Sequence, residues 1–266
     1  MTAPVLETRD LTIRFGGHVA VNRVSCAFHA GTLTAIVGPN GAGKTTFFNL
    51  ISGQLPASAG HVLLDGIDIS RDTPAARARR GIGRAFQITN LFPNLTAIEN
   101  VRLAVQARKR AATSAGPART MREIVTRWDS DPTLLARARG FLSEVNLAGK
   151  DETPVAALSH GDKRKLEVAL MMALEPHVFM FDEPTAGMSI DDVPVVLDLI
   201  KKLKARGNAT ILLVEHKMDV VRSLADRIIV LHNGQLAADG LPAEVISSPV
   251  VQEAYLGTRR KAGAHG

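Results

Sequence analysis

The chain has little with which to cross-link itself, stack nucleobases or enter a membrane. Its single cysteine, Cys26, excludes an internal disulfide and fits a reducing compartment. Aromatic side chains make up 4% of its 266 residues, so bases would find few stacking platforms. The basic runs Arg77-Ala-Arg79-Arg80 and Arg108-Lys109-Arg110 contain no aromatic residue. No apolar run approaches the ~20 residues of a membrane span; Val168-Ala-Leu-Met-Met-Ala-Leu174 stops at Glu175. The opening MTAPVLETRD lacks a basic segment followed by an apolar one, so no secretory signal is expected. Neither an internal repeat nor a heptad run is found. The net charge of +6 would suit an acidic partner, but without interleaved aromatics it reads as a solvated basic surface.

What the chain does have is an apolar content of 45%, arranged in short runs. Leu33–Val37, Val178–Phe181 and Ile211–Val214 read as strands buried on both faces, as in a parallel sheet. Helical patterns lie between them at Thr45–Ser52, Asp162–Leu174 and Val193–Arg206, and this alternation predicts an α/β fold. Val5–Phe15 and Val19–Phe28 instead alternate apolar and polar residues, as half-buried antiparallel strands do. Ile228–His232 and Gln235–Ala238 flank Asn233-Gly234, whose two residues suit a hairpin turn that demands positive φ at both. From about Thr96 to Ala148 the pattern is helical, broken at Gly116-Pro117 and Asp131-Pro132. We expect one domain over residues 1–257, a helical subdomain inserted at about 88–160, and a disordered tail over 258–266.

The strongest local signal is GPNGAGKTT, Gly38 to Thr46. It fits G-x-x-x-x-G-K-[ST], a loop whose small residues let backbone N–H groups wrap phosphate oxygens at a helix N-terminus. Lys44 would reach the β- and γ-phosphates, and the Thr45 hydroxyl would bind Mg²⁺, with Thr46 close behind. A dinucleotide fingerprint is excluded, because it would need glycine where Thr46 stands. Phosphoryl transfer also needs a second metal ligand and a group to activate water. Val178-Phe-Met-Phe-Asp182-Glu183 ends a buried strand in two carboxylates: Asp182 for Mg²⁺ and Glu183 for the attacking water. Ile211-Leu-Leu-Val-Glu215-His216 delivers His216 to the same sheet edge, where it could contact the γ-phosphate or the water.

Leu158-Ser-His-Gly-Asp162 opens a long helix. Ser159 followed three residues later by Asp162 is a capping box, and Ser159 with Gly161 could also form a second anion site. The two readings are compatible. Gln87 follows Ala85-Phe86, where the helical insertion begins. After it, Ile88-Thr-Asn-Leu91-Phe92-Pro-Asn-Leu95 carries large apolar residues that would either pack inside the insertion or line an exposed groove for a partner helix.

Together these residues resemble the ATP-binding subunit of ABC transporters over about Leu6 to Gly257. The resemblance implies a P-loop NTPase with a RecA-like parallel-sheet core, an N-terminal antiparallel β part and a helical insertion. Gly38–Thr45 falls at the Walker A loop, so that Gly38, Pro39, Asn40, Gly41, Ala42, Gly43, Lys44, Thr45 and Thr46 would bind ATP. Phe179–Glu183 matches Walker B with its catalytic glutamate, Gln87 the Q-loop residue and a Mg²⁺ contact, and His216 the switch histidine. Leu158–Asp162 matches the signature motif, departing from its commonest form at His160 and Asp162, and Ala186-Gly-Met-Ser189 falls at the D-loop. Phe15 falls where the family places an aromatic on adenine; a core role is its alternative. VGPNGAGKTT, FQ followed by NLFPNLTAIENV, DEPTAGMS, VEHKMD and EAYLG are similar to the branched-chain amino acid importer group, which includes ATPases for urea, short amides and aromatic acids.

That resemblance implies ATP and Mg²⁺ as ligands and a head-to-tail dimer with a second copy or a paralogue, in which Ser159 and Gly161 cap the γ-phosphate bound by the other chain. It further implies two separate transmembrane permease subunits, a periplasmic or extracytoplasmic solute-binding protein acting through them, and a peripheral place on the cytoplasmic face of the inner membrane. An ABC ATPase of a soluble machine, such as iron–sulfur cluster assembly, is one alternative. A nucleic-acid-associated ABC protein is the other; the single P-loop and missing heptads argue against it. A plain P-loop kinase would not need the motif at Ser159.

Overall fold

The computed structural model describes residues 3–85, 91–112, 132–190, 192–248 and 251. It falls into two compact units. The first comprises Met1–Arg84, His177–Glu183 and Ile200–Gly266; the second comprises Ala85–Pro176 and Pro184–Leu199.

Two sheets make up the first unit. β1 (Leu6–Phe15) and β2 (His18–Phe28) pair antiparallel, and β1 also pairs antiparallel with β4 (Ala59–Leu64), which β5 (Ile67–Asp68) extends. The larger sheet has the order β10-β9-β3-β8-β7-β6. Its strands are β3 (Leu33–Val37), β6 (Ile82–Ala85), β7 (Val178–Asp182), β8 (Thr210–Val214), β9 (Arg227–His232) and β10 (Gln235–Gly240). β3 lies parallel to β8 and β9, and β7 parallel to β8. Every residue of β3, β7 and β8 is buried, as expected for parallel strands covered on both faces. The β9–β10 hairpin turns at Asn233 and Gly234, both with positive φ.

Period-two alternation divides the sheet's side chains between two cores. Ile36, Met180, Leu212, Val214, Ile229 and Leu231 pack with the antiparallel sheet and with α1 (Lys44–Ser52), which buries Phe47, Phe48, Leu50 and Ile51. Ala35, Val37, Ile228 and Val230 face the other way, against Val221 of α7 (Met218–Leu224) and Val245 of α8 (Pro242–Ser247). The sequence pattern did not single out β4, β5, β6, α7, α8 or α2 (Pro74–Arg79), all of them short. Arg77 of α2 is buried because its guanidinium caps the C-terminus of α1, donating to the carbonyls of Leu50 and Ile51 at 2.6 and 2.7 Å.

The second unit is helical. α3 (Ala97–Ala112), α4 (Pro132–Glu144) and α5 (His160–Leu174) pack on one another. α3 buries Ile98, Val101, Ala104 and Val105, and α4 buries Leu134, Ala138 and Leu142, both at helical spacing. A reciprocal capping box starts α3: Thr96 N–H donates to Glu99 Oε2 at 2.7 Å, and Glu99 N–H donates to Thr96 Oγ1 at 3.3 Å. The segment after Glu183, up to Leu199, belongs to this unit and includes the start of α6 (Val193–Ala205). The tail over 258–266 and the break at Gly116-Pro117 lie outside the described residues.

Candidate nucleotide site

In the first unit the sheet register sets where the chemistry converges. Val214 pairs with both Ile36 and Asp182, so β3, β7 and β8 end level with one another. The loop Gly38–Gly43, the pair Asp182-Glu183 and the pair Glu215-His216 therefore leave one sheet edge, the carboxyl end where open α/β sheets take ligands.

The loop is shaped by its glycines. Gly38 has φ 153°, and a Cβ there would overlap the Leu231 carbonyl oxygen. Gly43 has φ 94°, and its Cβ would stand 2.5 Å from the Ala20 carbonyl oxygen. Gly43 occupies the N-cap of α1, and no side chain caps the helix there. The first turn of α1 has no acidic residue either, so its amides and positive helix end are open to an anion. Pro39 is half-buried, Asn40 and Gly41 are exposed, Ala42 is buried, and Thr45 and Thr46 are half-buried. Lys44 is folded back onto this loop. Its ammonium donates to the carbonyls of Gly38 at 2.7 Å and Pro39 at 2.9 Å. Burial pulls that ammonium below the ordinary lysine range, while Glu183 and Asp182 act in the opposite direction.

Asp182 is buried, and Arg84 Nη2 donates to its Oδ2 at 2.9 Å. Burial pushes its carboxyl up; the Arg84 charge opposes the rise and Glu183 adds to it. Glu183 stands at φ 50°, a left-handed conformation that is costly for a side-chain-bearing residue and that clusters at functional sites. Its N–H is tied to the Val214 carbonyl at 2.9 Å. His216 Nδ1 lies 3.8 Å from Glu183 Oε1, too far for a hydrogen bond. Glu215, to which the sequence reading assigned no role, is fully buried, and its Oε1 accepts from the N–H groups of His216 and Lys217 at 3.0 and 3.1 Å. It thereby fixes the turn that presents His216. Phe15 ends β1 with 51% of its surface exposed, so the core alternative does not describe it. Gln87 lies outside the described residues.

The second unit holds the motif at Ser159. Ser159 caps α5, its Oγ accepting from the Asp162 N–H at 3.1 Å. Asp162 is neutralised by Lys150 Nζ at 2.5 Å, with Lys165 Nζ at 3.8 Å. Burial alone would raise the Asp162 carboxyl, but the hydrogen bonds from Lys150 and Ser159 outweigh it and hold the carboxyl low. Lys165 also reaches Asp192 at 2.6 Å, and Asp192 accepts from Ser189 Oγ at 2.8 Å. A Cβ on Gly161 would overlap the Asp192 carboxylate, so a side chain there would have to push that carboxylate away from its partners Lys165 and Ser189.

The family model described as ABC transporter matches residues 21–186, and the one described as branched-chain amino acid ATP-binding cassette transporter matches residues 235–261. The chain belongs to the ABC transporter ATP-binding proteins of the branched-chain amino acid type. It is 37% identical to the high-affinity branched-chain amino acid transport ATP-binding protein BraF of Pseudomonas aeruginosa, over 97% of this chain and 99% of the relative. A solved ATP-binding cassette of an ABC transporter in its ADP conformation superposes with a TM-score of 0.79 at 29% identity, covering 96% of this chain and 100% of that one. A cassette solved as a dimer, in a post-hydrolysis state bound to ADP and Pi, gives 0.72 at 25% identity, covering 89% and 98%. The ABC cassette is thus a nucleotide-binding ATPase on an α/β fold. Among the described residues, no helix is long and apolar enough to cross a membrane.

Proposed function

We propose that this cassette hydrolyses ATP to energise uptake of branched-chain amino acids, or of a related small polar solute, through separate permease subunits. The open N-terminus of α1 beneath the glycine loop, level with Asp182 and Glu183 at the same sheet edge, is the observation that carries the catalytic half of this reading. The branched-chain family match over residues 235–261 supports the importer class over a soluble machine or a nucleic-acid-associated protein.

In this reading the backbone N–H groups of Gly38 and of Asn40 to Thr46 receive the phosphates. Lys44 exchanges the carbonyls of Gly38 and Pro39 for β- and γ-phosphate oxygens, and the exposed ring of Phe15 stacks on adenine. The donor set fits Mg²⁺, which takes hard oxygen ligands and usually one or two carboxylates beside substrate phosphates. Asp182 and the Thr45 hydroxyl would hold it, with Gln87 as a further ligand. Bound there, Mg²⁺ would neutralise charge on the transferred phosphoryl oxygens. Glu183 accepts the proton of the attacking water, and His216, held by Glu215, orients that water or contacts the γ-phosphate. Ser159 and Gly161 of a second copy or a paralogue cap the γ-phosphate in a head-to-tail dimer. The protein sits peripherally at the cytoplasmic face of the inner membrane, and a solute-binding protein delivers the solute to the permeases.

Phe92 supports a docking role in the second unit. It is 56% exposed while Leu91 is buried and Leu95 half-buried. Asn100, itself buried, fixes the turn, accepting from Phe92 N–H at 2.8 Å and donating to its carbonyl at 3.2 Å. Phe92→Asp should leave thermal stability and basal ATP hydrolysis intact but abolish co-purification with the permeases and solute uptake. Unfolding of the variant would make Phe92 a core residue, and normal permease binding would move the docking surface elsewhere. Uptake of labelled leucine against labelled urea by the reconstituted complex then decides the solute.

A further inference from the structure

Arg84 has no part in the sequence motifs, yet its guanidinium is hydrogen-bonded to Asp182. It stands on β6, with its side chain 9% exposed beside that of Asp182 at 4%. Nη2 donates to Asp182 Oδ2 at 2.9 Å. Nη1 donates to Asn49 Oδ1 at 2.6 Å and Ser52 Oγ at 2.9 Å, both on α1. The guanidinium carbon also lies 5.7 Å from the Phe48 ring centroid, within cation–π range. One rigid fork therefore ties the helix that begins at the glycine loop and carries Thr45 to the strand that ends in Asp182.

Stability alone is a weak reason for such a pair. A buried ion pair recovers little more than its desolvation cost, and well-packed apolar residues often do as well. The geometry accounts for an arginine here. Its planar fork engages a carboxylate with one nitrogen and two anchors with the other, whereas a lysine ammonium offers a single point of charge. Carboxylates that hold metals are commonly oriented by such outer partners, whose loss typically weakens metal binding.

We propose that Arg84 is the positioning residue of Asp182, fixing the Oδ2 side of the carboxylate from α1 so that Asp182 is presented to Mg²⁺ in one orientation relative to Thr45. The proposal rests on the reading of Asp182 as a Mg²⁺ ligand, and its test separates the two. Wild-type, Arg84→Met, Arg84→Lys, Asn49→Ala and Asp182→Asn proteins are titrated with a fluorescent ATP analogue, first in EDTA and then at rising Mg²⁺. Arg84→Met should bind the analogue in EDTA like the wild type, while the half-saturating Mg²⁺ concentration rises about 10-fold or more. Arg84→Lys and Asn49→Ala should raise it less. If Arg84→Met fails to fold, these two milder variants decide by the same criterion. An unchanged or lowered Mg²⁺ midpoint in the folded variants, with Asp182→Asn raising it, overturns the proposal; a lowered midpoint would mean that the guanidinium competes with the metal. If Asp182→Asn itself leaves the Mg²⁺ dependence unchanged, Asp182 is no ligand, and the proposal falls with that reading.

Discussion

Lys44 keeps a cation inside the loop by giving it carbonyl partners before any phosphate arrives. It is 8% exposed and donates to Gly38 and Pro39. The cost of burying the ammonium is thus met within the loop, and phosphate oxygens can replace those carbonyls without rebuilding the fold. Lys44→Ala should lower affinity for a fluorescent ATP analogue by about 10- to 100-fold, the worth of a hydrogen bond from a charged donor. Equilibrium titration checks this; unchanged affinity and hydrolysis together would remove the phosphate role from the loop. The local pattern of residues was enough to point to Lys44, Asp182 and Glu183, because each belongs to a short motif at the end of an apolar run. Arg84 and Glu215 were not legible in that way. Arg84 meets its partner 98 residues along the chain, a pairing that only the sheet order creates. Glu215 looks like any charged residue after a strand until its burial is known.

At the scale of elements, strand ends and helix starts do the positioning. The runs Leu33–Val37, Val178–Phe181 and Ile211–Val214 were readable as buried strands because parallel strands lack polar alternation, and their common register could not be read from one sequence. The cap at Ser159 was equally readable. The capping box at Thr96 and Glu99 carried the same local signature and marks where α3 begins. What local pattern could not show is that the start of α5 is bolted to the segment after Glu183 through Lys165, shared between Asp162 and Asp192. Together with Lys150 this network neutralises Asp162, so in the proposed dimer that acid need not repel a phosphate. A double-mutant cycle of Lys165→Met with Asp192→Ala, read by thermal or denaturant unfolding, should give a coupling of about 0.5–1 kcal/mol, because Lys165 is largely buried while Asp192 stays partly exposed. Strict additivity of the two single variants would show that the pair couples nothing.

At the scale of the molecule, the proposed catalytic groups and the motif at Ser159 lie in different units of one chain. The first unit brings the loop, both carboxylates and His216 to one sheet edge, and the second carries Ser159, Gly161 and the exposed Phe92. In the proposed dimer each chain supplies one half of two sites, so nucleotide binding and association are a single event, and hydrolysis at Glu183 ends it. The most direct measurement is made on purified Glu183→Gln with ATP and Mg²⁺, following hydrolysis and, by light scattering, association. The account predicts retained ATP binding, hydrolysis lowered on the order of 10²-fold, and a stable ATP-dependent dimer. Wild-type turnover by folded Glu183→Gln would contradict it.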